Sequence, residues 1–241
     1  MIKRLAWVFL GWVLMISAVW ASAVDSRGRN VPVQYDTDMK TLVDYLVKPY
    51  SREEDKARVL LAWIVYHIDY DQYKLDTMMD YTPRLRARKQ HEISTGDIWQ
   101  TRIGVCDDIA ELYQRMALMA GLDSVVITGY AGNGVTDRNK GDFRHAWNAV
   151  KIDGNWEFVD PTWAMQGDYR EGGNIVSKRQ HAREIERRES GLTNVKKKRN
   201  NRQLDDRWFM TKPQEMIKTH FPDDPKWQLL ARPRSFASFI H

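Results

Sequence analysis

Apolar residues recur at helical spacing in the first half of the chain and crowd into short runs in the second. Between Asp38 and Val47, Met39, Leu42, Val43 and Leu46 share one face, which predicts a short helix. Ser51-Arg52-Glu53-Glu54 reads as a capping box, with Ser51 accepting from a backbone amide while Glu54 reaches back. The helix it opens carries Ala57, Leu60, Leu61 and Ile64 and ends at Ile68-Asp69-Tyr70-Asp71. Residues 74–92 are polar, contain Pro83 and a run of basic residues, and predict an irregular excursion. One helical turn is expected between Gly96 and Thr101. The clearest amphipathic pattern runs from Asp107 to Ala120, with Ile109, Leu112, Met116 and Met119 on one face and Gly121 where a C-terminal cap belongs.

Beyond Gly121 the pattern changes period. Val125-Val126-Ile127 predicts a strand, and the glycine cluster Gly129-Tyr130-Ala131-Gly132-Asn133-Gly134 lacks the Lys-Ser/Thr of a phosphate loop and reads as a turn. His145 to Ile152 and Trp156 to Asp160 predict two strands joined by Asp153-Gly154-Asn155, a hairpin signal. Arg207 to Met210 predicts another strand, and Thr211, Pro213 and Gln214 start a last short helix. Helices followed by antiparallel strands define an α+β class. The 43% of apolar residues excludes wholesale disorder.

The N-terminus has its own logic. Lys3 and Arg4 precede an uncharged run from Leu5 to Val24, within which Ala21-Ser22-Ala23 has the small-x-small form of a cleavage site. Residues 1–23 are expected to be a signal peptide, leaving residues 24–241 as one domain. The rival reading is an anchor in the inner membrane formed by residues 5–24. Either reading predicts an exported chain, periplasmic or secreted if cleaved. No cysteine stands directly after the apolar run, which argues against a lipoprotein anchor.

Net charge is uneven. The chain carries +5, yet residues 178–202 alone hold ten Lys or Arg against three Glu, a net +7. This basic stretch lies inside an insertion at about 164–206. It has no aromatic residue on which a base could stack, so no nucleic-acid partner is expected. The bland reading is a solvated insertion. The functional one is contact with an anionic polymer or a membrane surface.

The single cysteine, Cys106, excludes an intrachain disulfide and any multi-cysteine zinc site. The histidines show no metal-ligand spacing, and neither a metal nor a cofactor is expected. Cys106 is predicted at the start of the Asp107–Ala120 helix, where the helix dipole and unpaired amides favour a thiolate. A nucleophilic thiol needs a base, and the base needs an orienting group. His145 opens one hairpin strand and Asp160 ends the next. With the turn at Asp153-Gly154-Asn155 the two side chains can meet across the ladder.

Gly104-Val105-Cys106, His145-Ala146-Trp147-Asn148 and Val159-Asp160-Pro161-Thr162-Trp163 together resemble the transglutaminase-like superfamily. Trp208 to Thr211, His220-Phe221-Pro222 and Pro225 to Leu230 resemble its kyphoscoliosis peptidase-like branch. The resemblance implies a papain-like α+β core, with a nucleophile-bearing helix packed on an antiparallel sheet. It implies Cys106 as nucleophile, His145 as general base and then acid, and Asp160 as orienter. Tyr70 falls where related transglutaminases place an aromatic oxyanion donor. Asp107-Asp108-Ile109-Ala110 departs from the pattern, in which an aromatic more often precedes the alanine.

The function implied is an exported cysteine-dependent enzyme of amide or peptide bonds: a peptidase, an amidase or an acyl transferase. Its substrate would be a protein or peptide, with the cell envelope as one source. The alternative is a non-catalytic envelope interaction module on the same fold, its basic segment binding an anionic partner.

Overall fold

The computed structural model describes residues 21–71, 74–75, 97–165 and 202–240. The remaining stretches include most of the apolar N-terminus, nearly all of the expected 74–92 excursion and most of the basic insertion, so those expectations lie outside the described residues.

Among the described residues, five helices carry the first layer. Residues 21–29 form α1, Met39–Val47 α2, Glu53–His67 α3, Ile98–Thr101 α4 and Cys106–Met119 α5. Asp38 caps α2 by accepting from the Thr41 amide at 2.9 Å, and the four expected apolar residues are buried. The capping box expected at Ser51 does not form. Arg52 is the N-cap and makes no side-chain cap bond, so the helix begins one residue later than the box requires. Glu53, Glu54 and Asp55 instead place negative charge in the first turn, where the helix dipole favours it. The interior of α3 is enclosed on all sides from Val59 to Tyr66, which makes it the central helix of the main core. On α5, Ile109, Leu112 and Met116 are buried as expected, but Met119, the last residue of the helix, is 49% exposed.

The second layer is a five-stranded antiparallel sheet. In sequence, β1 (Asp69–Tyr70) and β2 (Ile103–Gly104) form a separate parallel pair. The main sheet comprises β3 (Ser124–Ala131), β4 (Arg144–Ile152), β5 (Asn155–Val159), β6 (Phe209–Thr211) and β7 (His220–Pro222). Its order is β6-β5-β4-β3-β7. The β4–β5 hairpin turns on Asp153 and Gly154, with φ of 48° and 83°, the two left-handed residues a tight primed turn requires. It sets the register Ile152↔Asn155 through Asn148↔Val159.

Three details of the second half differ from the sequence pattern. Strand β3 runs on through Gly129, Tyr130 and Ala131, which had read as a turn, because β7 pairs with those residues on its free edge. The stretch from Asp206 to Trp208 is a 3₁₀ turn, so β6 starts only at Phe209. The last helix, α6 (Pro213–Met216), has Lys212 as N-cap with Pro213 in its first turn, while the Thr211 hydroxyl donates to the Arg207 carbonyl instead of capping.

The sheet is covered on both faces. Val150, Ile152 and Val159 join the helical core, while Trp147, Ala149 and Phe158 pack with Ile127 and Met216 on the other face. Asn148 ties sheet to helix by donating to the Ala110 carbonyl of α5 at 3.0 Å. This tie holds α5 at a fixed height over β4.

Candidate active site

Strand β2 leads directly into α5. Asp69 N–H donates to the Arg102 carbonyl at 2.8 Å and Asp71 N–H to the Gly104 carbonyl at 2.9 Å, fixing the approach. Val105 is the N-cap and Cys106 the first helical residue, so the thiol stands at the helix N-terminus, 7% exposed. A valine cannot cap through its side chain. Asp108 supplies the other half of a capping box: its carboxylate accepts the Val105 N–H at 2.9 Å and also the Lys74 ammonium at 2.6 Å. Asp108 thus pins the turn bearing Cys106. Tyr70, half buried, pairs with Gly104 in the β1–β2 ladder. That places it on the strand alongside the one that delivers Cys106.

His145 and Asp160 meet at the end of the hairpin. His145 Nε2 and Asp160 Oδ2 are 2.7 Å apart, and both groups are buried. The other oxygen of Asp160 accepts the N–H groups of Thr162 and Trp163, each at 2.9 Å. The Asp-Pro-Thr-Trp sequence explains this. Pro161 has no N–H of its own and presets the turn, so the aspartate closes on the two amides beyond it. The backbone of Asp160 is held as well, its N–H donating to Trp208 and its carbonyl accepting from Ala164.

The Cys106 thiol, at the start of α5, is among the groups that act on the titration of the same imidazole. With Nε2 committed to Asp160, Nδ1 is the nitrogen left for the thiol. Burial alone would push the His145 pKa down. The Asp160 charge and hydrogen bond, with the bond and charge of Cys106, outweigh it and raise His145 to about 10. Burial opposes the charge on Asp160 too, but His145 and then His220 hold its carboxyl below the usual carboxylate range. The site therefore favours an imidazolium between a carboxylate and a sulfur.

One further group stands here that sequence spacing did not mark. His220, on β7 and 1% exposed, places Nε2 3.0 Å from the same Asp160 Oδ2. Its Nδ1 is 2.8 Å from the Thr219 hydroxyl. The Trp163 ring lies 5.7 Å from His145 and 4.5 Å from His220, and Trp147 and Trp208 complete an aromatic wall around the two imidazoles. No local spacing could have flagged His220, because a strand far along the chain brings it in. The only signal was its place in the His-Phe-Pro part of the C-terminal block.

Among the described residues, His145, Asp160 and His220 are a group able to offer three metal ligands, their ligand atoms lying within 4.8 Å of one another. Separations of 2.7 and 3.0 Å are those of N–H···O bonds. A metal ion would have to replace both imidazole protons, so the arrangement fits two donors on one carboxylate oxygen better than a metal centre.

A helix-borne cysteine beside a histidine and an aspartate on neighbouring strands, on a mixed α+β scaffold, defines a papain-like class. The transglutaminase-like superfamily core matches residues 40–161, and the chain belongs to that superfamily. It is 27% identical over 219 residues to kyphoscoliosis peptidase of Mus musculus, a match covering 90% of this chain and 28% of that protein. To the protein of the same name from Homo sapiens it is 28% identical over 201 residues, covering 82% and 25%. The chain thus spans only about a quarter of the length of these relatives. A crystal structure of a TGase is similar with a TM-score of 0.41 and 19% identity, over 62% of this chain and 38% of that one.

Proposed function

We propose that the chain is a cysteine-dependent enzyme that cleaves amide or peptide bonds, with Cys106, His145 and Asp160 as its catalytic groups. The observation that carries this reading is the 2.7 Å bond between His145 Nε2 and buried Asp160, made by an imidazole that also adjoins the thiol at a helix start.

The thiol proton passes to His145 and Asp160 stabilises the cation formed. The Cys106 sulfur attacks the substrate carbonyl, and the carbonyl oxygen takes the negative charge. The amide N–H of Cys106, unpaired within the helix, is one donor for that oxyanion, and Tyr70 is the candidate for a second. Collapse breaks the C–N bond, His145 gives its proton to the leaving nitrogen, and a thioester remains on Cys106. Water then attacks the thioester with His145 as base, releasing the acid and restoring the thiol. An amine in place of water would complete an acyl transfer. Hydrolysis is the preferred outcome, because water needs no binding site of its own and the sequence has no calcium-loop signature.

The test is a set of acyl-donor peptides incubated with wild type and Cys106→Ala, with mass spectrometry for released product and for a thioester on Cys106. Product and adduct in wild type, both absent in Cys106→Ala, are expected. Equal product from both proteins would overturn the assignment and leave the interaction-module reading in front.

For location we propose an exported chain that keeps its apolar N-terminal segment as an anchor. The support is local. Helix α1 runs through the Ala21-Ser22-Ala23 site, Val24 is 0% exposed within the main core, and both oxygens of Asp25 pair with Arg58 at 2.8 Å. Cleavage after Ala23 would put a charged amine on a fully buried residue, which burial opposes. N-terminal sequencing of the membrane and soluble fractions decides it. A full-length chain in the membrane fraction is expected, and a soluble chain beginning at Val24 would refute it. Among the described residues no helix is long and apolar enough to cross a membrane.

A further inference from the structure

The Asp160 carboxylate accepts from four N–H groups, and a Cys-His-Asp relay uses only one of them. Thr162 and Trp163 fill Oδ1, while His145 and His220 share Oδ2. A carboxylate has about four acceptor positions, so this one is saturated. We propose that His220 is a positioning residue for the proposed His145–Asp160 couple: its Nε2–H holds Oδ2 in the one orientation from which it can accept from His145.

The geometry fixes which proton His220 donates. The Asp160 carboxylate can only accept, so the proton of the neutral ring sits on Nε2, 3.0 Å from Oδ2, and Nδ1 is left as the acceptor facing Thr219 Oγ1 at 2.8 Å. The ring is also kept neutral. Burial lowers the His220 pKa to about 4, with the neighbouring His145 cation adding to the effect against the pull of Asp160. A second cation would divide the carboxylate charge, whereas a neutral donor fixes the oxygen and leaves the charge to His145. Packing alone does not ask for a histidine. The Trp147, Trp163 and Trp208 walls would accept a phenyl ring, but a phenyl ring would leave one acceptor position of a buried carboxylate empty.

This inference rests on the proposed catalytic couple, and the experiment separates the two. The full-length chain is labelled with ¹⁵N-histidine, and the downfield proton of the His145–Asp160 bond is followed by NMR beside the iodoacetamide alkylation rate of Cys106. His220→Gln retains a donor that reaches Oδ2, while His220→Phe retains the ring and removes the donor. Both are checked for fold by circular dichroism. The expected result is a wild-type His145 signal and rate in His220→Gln. In His220→Phe the signal broadens away and alkylation slows by about ten- to a hundredfold, the weight of one hydrogen bond to a charged group. Should His220→Phe not fold, His220→Asn, too short to reach Oδ2, takes its place with the same expectation. The proposal is overturned if the donor-free variant keeps both signal and rate, or if His220→Gln loses both to the same extent. If wild-type Cys106 is inert to alkylation, the enzyme reading fails while the NMR comparison still decides the role of His220.

Discussion

Gly129 and Pro222 face each other across the β3–β7 ladder, and the Cβ that Gly129 lacks would stand 2.8 Å from the Pro222 Cα. The same Cβ would lie 2.8 Å from the Trp147 ring and closer still to the Phe221 carbonyl oxygen. On its other side Gly129 pairs with His145. This one glycine lets the strand bearing His220 close against one edge of β3, whose other edge carries the strand bearing His145. Two of the three obstacles are backbone, which cannot rotate aside. Gly129→Ala is therefore expected to cost about 2 kcal/mol or more as overpacking, read as a lower urea midpoint. The outcome that sinks the idea is a stability gain of the kind an ordinary strand Gly→Ala gives.

Asp108 holds the turn that presents Cys106. Removing its carboxylate in Asp108→Ala frees the Val105 amide and is expected to cost about 1 kcal/mol, as loss of a cap does. Lys74→Met removes only a partly exposed ion pair and is expected to cost less than about 1 kcal/mol. Equal losses in the two variants, measured by urea denaturation, would mean that the ion pair rather than the cap fixes this turn.

The two imidazoles give stability an optimum in pH. His145 is raised from 6.5 to about 10, so its contribution is complete below pH 6.5 and is lost as pH climbs toward 10. His220 is lowered from 6.5 to about 4, so the unfolded chain binds a proton first on acidification. Its contribution holds above pH 6.5 and is lost on the way down to about 4. Asp160, depressed below 3.8, adds a further loss only at more acid pH. Each limb can slope by up to about 1.4 kcal/mol per pH unit. Urea titrations across this range are expected to peak near pH 6.5, with His220→Gln flattening the acid limb and sparing the alkaline one. A flat profile between pH 5 and 9 would contradict both assignments.

Asp160→Asn tests the carboxylate directly. Its oxygen would stay with the Thr162 and Trp163 amides, turning the side-chain NH₂ toward two imidazole N–H groups. Donor would meet donor, and His145 would be driven to the wrong tautomer. Turnover of any substrate found is expected to fall by about four orders of magnitude. A drop of less than tenfold would show that Asp160 does not orient His145.

Much of this was legible in the sequence, for physical reasons. The helix at Asp38–Val47 and the hairpin at Asp153-Gly154 are dictated by local periodicity and by left-handed turn residues, which do not wait for tertiary contacts. Cys106 and His145 could be placed at element starts from the same signals, and the hairpin register then brought Asp160 within reach. The Ser51 box failed because a cap one residue along left it out of phase. Gly129 read as a turn because its requirement is the approach of β7, which no window around residue 129 contains. His220 was invisible for the same reason: two strands, β3 and β4, separate its own strand from the one that ends at its partner Asp160.

The most direct measurement is the rate of Cys106 alkylation by iodoacetamide from pH 5 to 10, in wild type and in His145→Ala. If His145 and Cys106 act as a pair, wild type keeps reacting near pH 6, at least tenfold faster than the variant, and the variant follows an ordinary thiol with its midpoint at about pH 8.5. Two superimposable profiles, both with that ordinary midpoint, would contradict the activated pair and with it the assignment of Cys106 as a nucleophile.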